Sequence, residues 1–266
     1  MRNFNLDRKV IFVLMALAVA IPLLIKIGFP NKVTKEVDKF FKAVENLPAN
    51  SIILVSFDNE ASSLPEVKPM AVAILRHCFS KNLKIISLSL LAEGTAIGEQ
   101  ILREIALEYQ KNYGEDYVFL GYRPQATATI LSLGEDIQNT FPLDYYGNLT
   151  DTLEILKQCK NYQTIPLIIT IADGDLPIAW INYAGARYKK ELNVAITAVM
   201  ATSIYPYLQS GQIRGLVSGL KGAAEYEILI KKEGMGTKGM DAQSIAHLLI
   251  VLLVIWGNLT YFLGKK

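Results

Sequence analysis

The sequence predicts an α/β domain, a mostly parallel sheet with helices on both faces, flanked by an N-terminal and a C-terminal transmembrane helix. Three observations carry this expectation. Charge-free apolar runs lie near both ends of the 266-residue chain. Between them, short β-rich runs alternate with amphipathic segments of about a dozen residues or more, the pattern of βαβ units. The strand-like runs are also apolar nearly throughout, as strands buried on both faces are.

The first apolar run covers residues 10–25 and contains no charged side chain; Ile27, Gly28 and Phe29 extend it past Lys26. Arg2, Arg8 and Lys9 precede it, the layout of a signal peptide or signal anchor. Ala18-Val19-Ala20 resembles a cleavage site, but apolar residues continue beyond it and Pro22 follows closely, so residues 1–30 are expected to stay as an uncleaved anchor. A connecting helix over 33–47 is read from Val33, Val37, Phe40, Phe41, Val44 and Leu47 at helical spacing, ended by Pro48 and Asn50.

Strands are expected at 51–57, 83–91, 116–121, 165–171 and 194–200, with helices at 67–81, 95–112, 149–160 and 176–191. This is a Rossmann-like or periplasmic-binding-protein-like order of layers, and residues 31–240 form one domain. Residues 123–146 interrupt the alternation, and residues 204–232 read as helical with a break at Ser210-Gly211. Residues 245–263, ending before Lys265 and Lys266, form the second span, with Trp256, Tyr261 and Phe262 as an interfacial belt and Asp241 as the N-cap. Basic residues on both short tails argue for cytoplasmic termini, and Lys26, Lys32, Lys35, Lys39, Lys231, Lys232 and Lys238 on the domain side of the spans argue against them. Because long loops translocate largely regardless of charge and the first helix usually dominates, a domain outside the cytoplasm with both termini inside is expected.

Composition narrows the function. The chain is 51% hydrophobic with a net charge of +2, and a pI near 8.3 and mean hydropathy of +0.26. No basic arm or nucleic-acid footprint follows from such a balance. Cys78 and Cys159 have no zinc-finger or CxxC spacing and are expected to be buried free thiols, with a disulfide as the alternative in an oxidising compartment. His77 and His247 are the two histidines. His77 sits mid-helix beside Cys78, an arrangement that makes neither a metal pair nor a nucleophile–base dyad.

In an open parallel sheet ligands meet the carboxyl ends of the strands. Those ends offer Asp58 and Glu60, Glu93, Arg123, and Asp173 with Asp175. Three acidic loops converging on one crevice would suit a divalent cation or an acid–base pair, whereas helix caps and tight turns are the structural alternative. No G-x-G-x-x-G follows the first strand, no G-x-S-x-G elbow exists, and Gly94 to Gly98 lacks a phosphate-binding lysine. The glycine-rich stretch at 234–239 reads as a flexible linker. The sequence specifies no cofactor.

Gly211, Gly215, Gly219 and Ala223 recur every four residues, a small-residue pattern that on a helix lets another backbone approach closely. Packing on the domain's own sheet and contact with a second copy both fit it. Asn258, with Gly257 and Thr260, places a polar group in the second span; Ala16 and Ala20 offer a smooth face for it on the first. The leading functional expectation is a two-span binding or scaffold protein that assembles with itself or with partner membrane proteins. A membrane-tethered, carboxylate- or metal-dependent hydrolase or transferase is the alternative, and an accessory subunit of a transport or secretion complex the second.

Overall fold

The computed structural model describes residues 7–25, 27–29 and 32–264. Arg2, Lys26, Lys265 and Lys266, part of the expected charge layout, lie outside the described residues.

The helices α1 (Arg8–Leu24) and α2 (Lys35–Glu45) precede β1 (Ile52–Asp58), α3 (Leu64–Ser80), β2 (Lys84–Ser89), α4 (Ala92–Glu108) and β3 (Tyr117–Tyr122). Then follow α5 (Ala126–Glu135), the short α6 (Ile137–Thr140) and α7 (Glu154–Lys157), and β4 (Leu167–Ala172). Next come α8 (Leu176–Ala179), continued by a π-helical stretch (Trp180–Ala186), β5 (Glu191–Ile196), α9 (Ala201–Gln209), β6 (Gly215–Ser218), α10 (Gly219–Leu229) and α11 (Met235–Gly264).

The strands form a six-stranded sheet in the order β3-β2-β1-β4-β5-β6, all parallel. That is the order of a doubly wound nucleotide-binding sheet. Alternation along each strand divides the core into two layers. Ile53, Val55 and Phe57 of β1 face α2, α3, α4 and α10, with Ile169 and Ile171 of β4 beside them. Ile52 and Leu54 face the opposite side, with Ile168 and Val194, against Ile130 and Leu133 of α5, Trp180 and Ile204.

Several expectations are corrected. The chain has a sixth strand, β6, inside the stretch read as helical at 204–232. Gly211, Gly215, Gly219 and Ala223 therefore share no helix face: they lie in a turn, at the start of a strand, at the strand–helix junction and within α10. Gly215 is required by close approach, because a Cβ there would sit 2.2 Å from the backbone nitrogen of Phe40. Asn193 of β5 donates to the Phe40 carbonyl at 3.1 Å, so α2 is held directly against the sheet. The fifth strand starts three residues earlier than expected, and the helix read at 149–160 reduces to a 3-10 turn at Thr150–Thr152 and the single turn of α7.

The linker expected at 234–239 is instead the start of α11. Glu227 on α10 accepts from the N–H of Gly236 and of Thr237, each at 2.8 Å, and from the Thr237 hydroxyl at 2.6 Å. A carboxylate there satisfies helix N–H groups that have no partner within the helix. Asp241 does not cap this helix. It is fully buried inside it and accepts from the backbone N–H groups of Ile27, Gly28 and Phe29 at 3.2, 2.8 and 3.1 Å. Glu225 likewise accepts from the N–H and hydroxyl of Thr34, at the N-terminus of α2.

Gly236 lies against Ala223 and Gly239 against Leu220. Successive turns of α11 thus climb α10 towards its start and leave the domain beside the carboxyl edge of the sheet. Residues 235–262 are long and apolar enough to cross a membrane. The shorter α1 packs along α11, antiparallel to it because its exit is tied to Asp241. Ile11, Met15, Ala18 and Pro22 form the partly buried seam of α1, and Ala246, Leu249, Leu253 and Thr260 that of α11. Such near-heptad spacing suits a helix pair. Ala16, Ala20 and Asn258 are exposed outside this seam, so the expected pairing of Asn258 with an alanine face of α1 does not form.

Gly215→Ala is expected to destabilise the protein by about 1–3 kcal/mol, the usual result of overpacking, and to release α2 to protease. Gly174→Ala, where a Cβ meets nothing within 4 Å, should be near neutral. Thermal melts with limited proteolysis check both.

Candidate functional site

The strand order reverses between β1 and β4, and the crevice at this point is where a doubly wound sheet ordinarily receives its ligand. Asp58 ends β1 there and is buried. One of its oxygens accepts from the Ser56 hydroxyl and the Leu90 N–H, each at 2.8 Å. The other accepts from the Trp180 indole at 3.1 Å and the Thr170 hydroxyl at 3.3 Å. With both oxygens doubly engaged, the carboxyl joins β1, β2, β4 and the π-helical stretch and faces inward. Burial pushes its pKa above the ordinary carboxylate value, against the pull of those bonds.

Asp173, after β4, accepts from the Glu60 N–H at 2.7 Å and so bridges the switch point. The Glu60 and Asp175 side chains are exposed on two different loops, and that of Glu93 is exposed on the first turn of α4. Asp175 precedes α8 but makes no side-chain cap bond. Gly94 belongs to the packing: a Cβ there would lie 2.7 Å from the Asn59 carbonyl, and one on Gly98 would meet the Phe57 ring. The glycines bring α4 onto the end of β1 rather than shaping a phosphate cradle. The carboxyls grouped by sequence position are thus separated into one core junction, one loop bridge and three surface groups. Among the described residues no cluster of three or more His, Cys, Asp or Glu is placed to hold a metal.

A hollow of about 420 Å³ lies at the end of β3, lined by Tyr122, Arg123, Phe141, Asp144 and Tyr145 among others. Arg123 does not reach the acidic loops. It donates to the Thr140 carbonyl and its guanidinium lies 5.9 Å from the Phe141 ring centre. Asp144 organises the following turn through the N–H groups of Tyr146 and Asn148 and the Tyr113 hydroxyl. The Tyr145 N–H bonds the Phe119 carbonyl at 3.0 Å, covering part of the exposed edge of β3, a common protection for an edge strand.

Comparisons with protein-family models, with curated proteins and with solved structures give no match.

The polar cluster that sequence reading underrates centres on the buried His77. Its Nε2 lies 2.8 Å from Glu45 and its Nδ1 2.8 Å from the Tyr226 hydroxyl, and Phe41 stacks on the ring at 4.3 Å. Since a carboxylate only accepts, Nε2 carries the proton and Nδ1 receives one from Tyr226. The trio joins α2, α3 and α10, with Lys81 on the far side of Glu45 at 3.3 Å. Tyr226 is fully buried, so no substrate reaches that side. Cys78 beside it is free and buried, its thiol pushed up to about 12 by burial.

Asp58→Asn is expected to cost about 1–3 kcal/mol, because an amide NH₂ would face donors where an oxygen now accepts; denaturant unfolding measures it. For His77, burial lowers the folded-state pKa below the ordinary 6.5, with Glu45 opposing. The unfolded chain then binds the proton more readily, so stability falls as pH drops below about 6.5. His77→Gln should be less stable at pH 8 yet show a flatter melting profile between pH 8 and 5.

Proposed function

We propose that this protein is a two-span membrane protein acting as a binding or scaffold module, whose domain lies outside the cytoplasm and which assembles with itself or with partner membrane proteins. The observation that carries the reading is the outward position of Asn258. Its amide donates to Val254 of its own helix at 2.8 Å and points away from α1, next to Gly257, around which there is open space. An exposed side-chain amide in a charge-free span favours an interhelical partner, and small residues let that partner approach. Ala16 and Ala20 give α1 a second outward small face.

Support for α1 as a span comes from its exposed apolar surface, which includes Phe12, Val13, Leu17 and Leu24. Exposed apolar helix faces of this kind fit lipid or a neighbouring helix better than water. A run of 16 charge-free residues from Val10 to Ile25 spans about 24 Å at 1.5 Å per residue, so it would rely on residues 27–29 or on local thinning to cross. Arg8 and Lys9 ahead of it favour a cytoplasmic start. The reading of the domain as a scaffold rests on the engaged state of Asp58 and Asp173.

Asn258→Leu in a bilayer is expected to weaken association about 3- to 10-fold, the equivalent of a lost interhelical hydrogen bond of roughly 0.6–1.4 kcal/mol. Crosslinking in native membranes and single-molecule photobleaching in vesicles read it. A chain that is monomeric at every density, with Asn258→Leu and Gly257→Leu unchanged, would remove the assembly reading. Protease protection of the domain in intact cells tests its sidedness.

A further inference from the structure

A groove of about 850 Å³ runs between the α1–α11 pair and α3, at the side of the domain from which the pair emerges. One wall is made by Leu23 of α1 and Ala246 of α11, the other by Leu64 and Val72 of α3, and Lys68 and Lys238 line it as well. We propose that this groove holds an anionic phospholipid of the surrounding bilayer, its acyl chain against α3 and its phosphate between Lys68 and Lys238. The proposal rests on the two-span reading above.

Continuity and charge identify the occupant. Leu23 and Ala246 belong to the charge-free runs of the two helices, so an alkyl chain lying beside the pair passes into the groove sideways without crossing water. The volume falls in the range of small-molecule sites, about 300–1,000 Å³. The groove closes on the domain side at α3 and at Leu220 of α10. A polar soluble ligand would meet a predominantly apolar wall.

The charged residues in the lining divide cleanly. Glu227 is engaged by the start of α11, and Arg76 gives two hydrogen bonds to Glu108. Glu233 also lines the groove and has an interaction of its own. Lys68 approaches Glu104 only at 3.5 Å, with both side chains almost half exposed, a surface pair that is weakly held. Its long stem can lie on Val72 while the ammonium turns to a phosphate, as lysines do at membrane surfaces. Lys238 projects from the first turns of α11, before the charge-free run begins.

The test reconstitutes the full chain into vesicles containing a trace of phosphatidylglycerol with a photoactivatable diazirine in its acyl chain, and maps the labelled peptides by mass spectrometry. Labelling of residues 64–76 on α3, together with α1 and α11, is the expected result. Val72→Trp or Ala246→Trp, which fill the groove from opposite walls, should each abolish label on α3 while sparing label on the outer faces of the spans. Labelled spans with an unlabelled α3 would overturn the groove and leave the two-span reading standing. Unlabelled spans would overturn that reading itself. The same probe on phosphatidylcholine should label α3 several-fold less, and the Lys68→Glu/Lys238→Glu double variant should erase the difference; equal labelling of the parent protein by both lipids would overturn the anionic assignment.

Discussion

Three buried carboxylates hold this structure together at the place where its helices meet its sheet. Glu225 fixes the start of α2, Glu227 the start of α11, and Asp241 the chain leaving α1, each by accepting from backbone N–H groups. Burying a charge is costly unless donors replace the lost water, and backbone amides aimed at one anion do so with charge-assisted bonds. Removing any of these carboxylates would leave the backbone donors that converge on it without their partner. The arrangement of α1, α2 and α11 relative to the sheet therefore depends on side chains of two consecutive helices, α10 and α11.

The sheet shows the same preference for internal bonding at its switch point. The strand order opens a crevice between β1 and β4, yet Asp173 ties the two flanking loops and Asp58 gathers donors from both halves of the fold. Gly94 and Gly98, on the helix that follows β2, bring α4 down onto β1, whereas nucleotide-binding folds with this strand order place their phosphate-admitting glycines directly after the first strand. Topology alone thus does not confer the chemistry, which depends on what the loops do with the available space.

Much of the architecture was legible because buried parallel strands are locally unmistakable: IILVSF and LIITI are apolar on both faces. What escaped detection depended on residues distant in sequence. Strand β6 is four residues long and includes Gly215 and Ser218, so its small side chains imitated a helical face; only Phe40, packed against Gly215, explains the glycine. Asp241 looked like a cap because it precedes an apolar run, whereas its partners lie more than 200 positions earlier. Asp58 looked like a crevice residue because it ends the first strand, and Trp180, which donates to it, arrives from the second half of the fold. The seam of the helix pair was readable from the spacing of Ile11, Met15, Ala18 and Pro22, but the smaller Ala16 and Ala20 suggested a different face.

Because α11 begins inside the domain and leaves it without a break, it is a lever whose short arm lies against α10. With the long arm in a bilayer, a change in membrane thickness that alters its tilt exerts a torque at Gly236 and Gly239, which pack directly on Ala223 and Leu220 of α10. The adjoining elements are α10 and, through it, the Tyr226–His77–Glu45 contact between three helices. Mechanical load on the membrane would accordingly reach the domain's polar core before it reached the crevice at the strand ends.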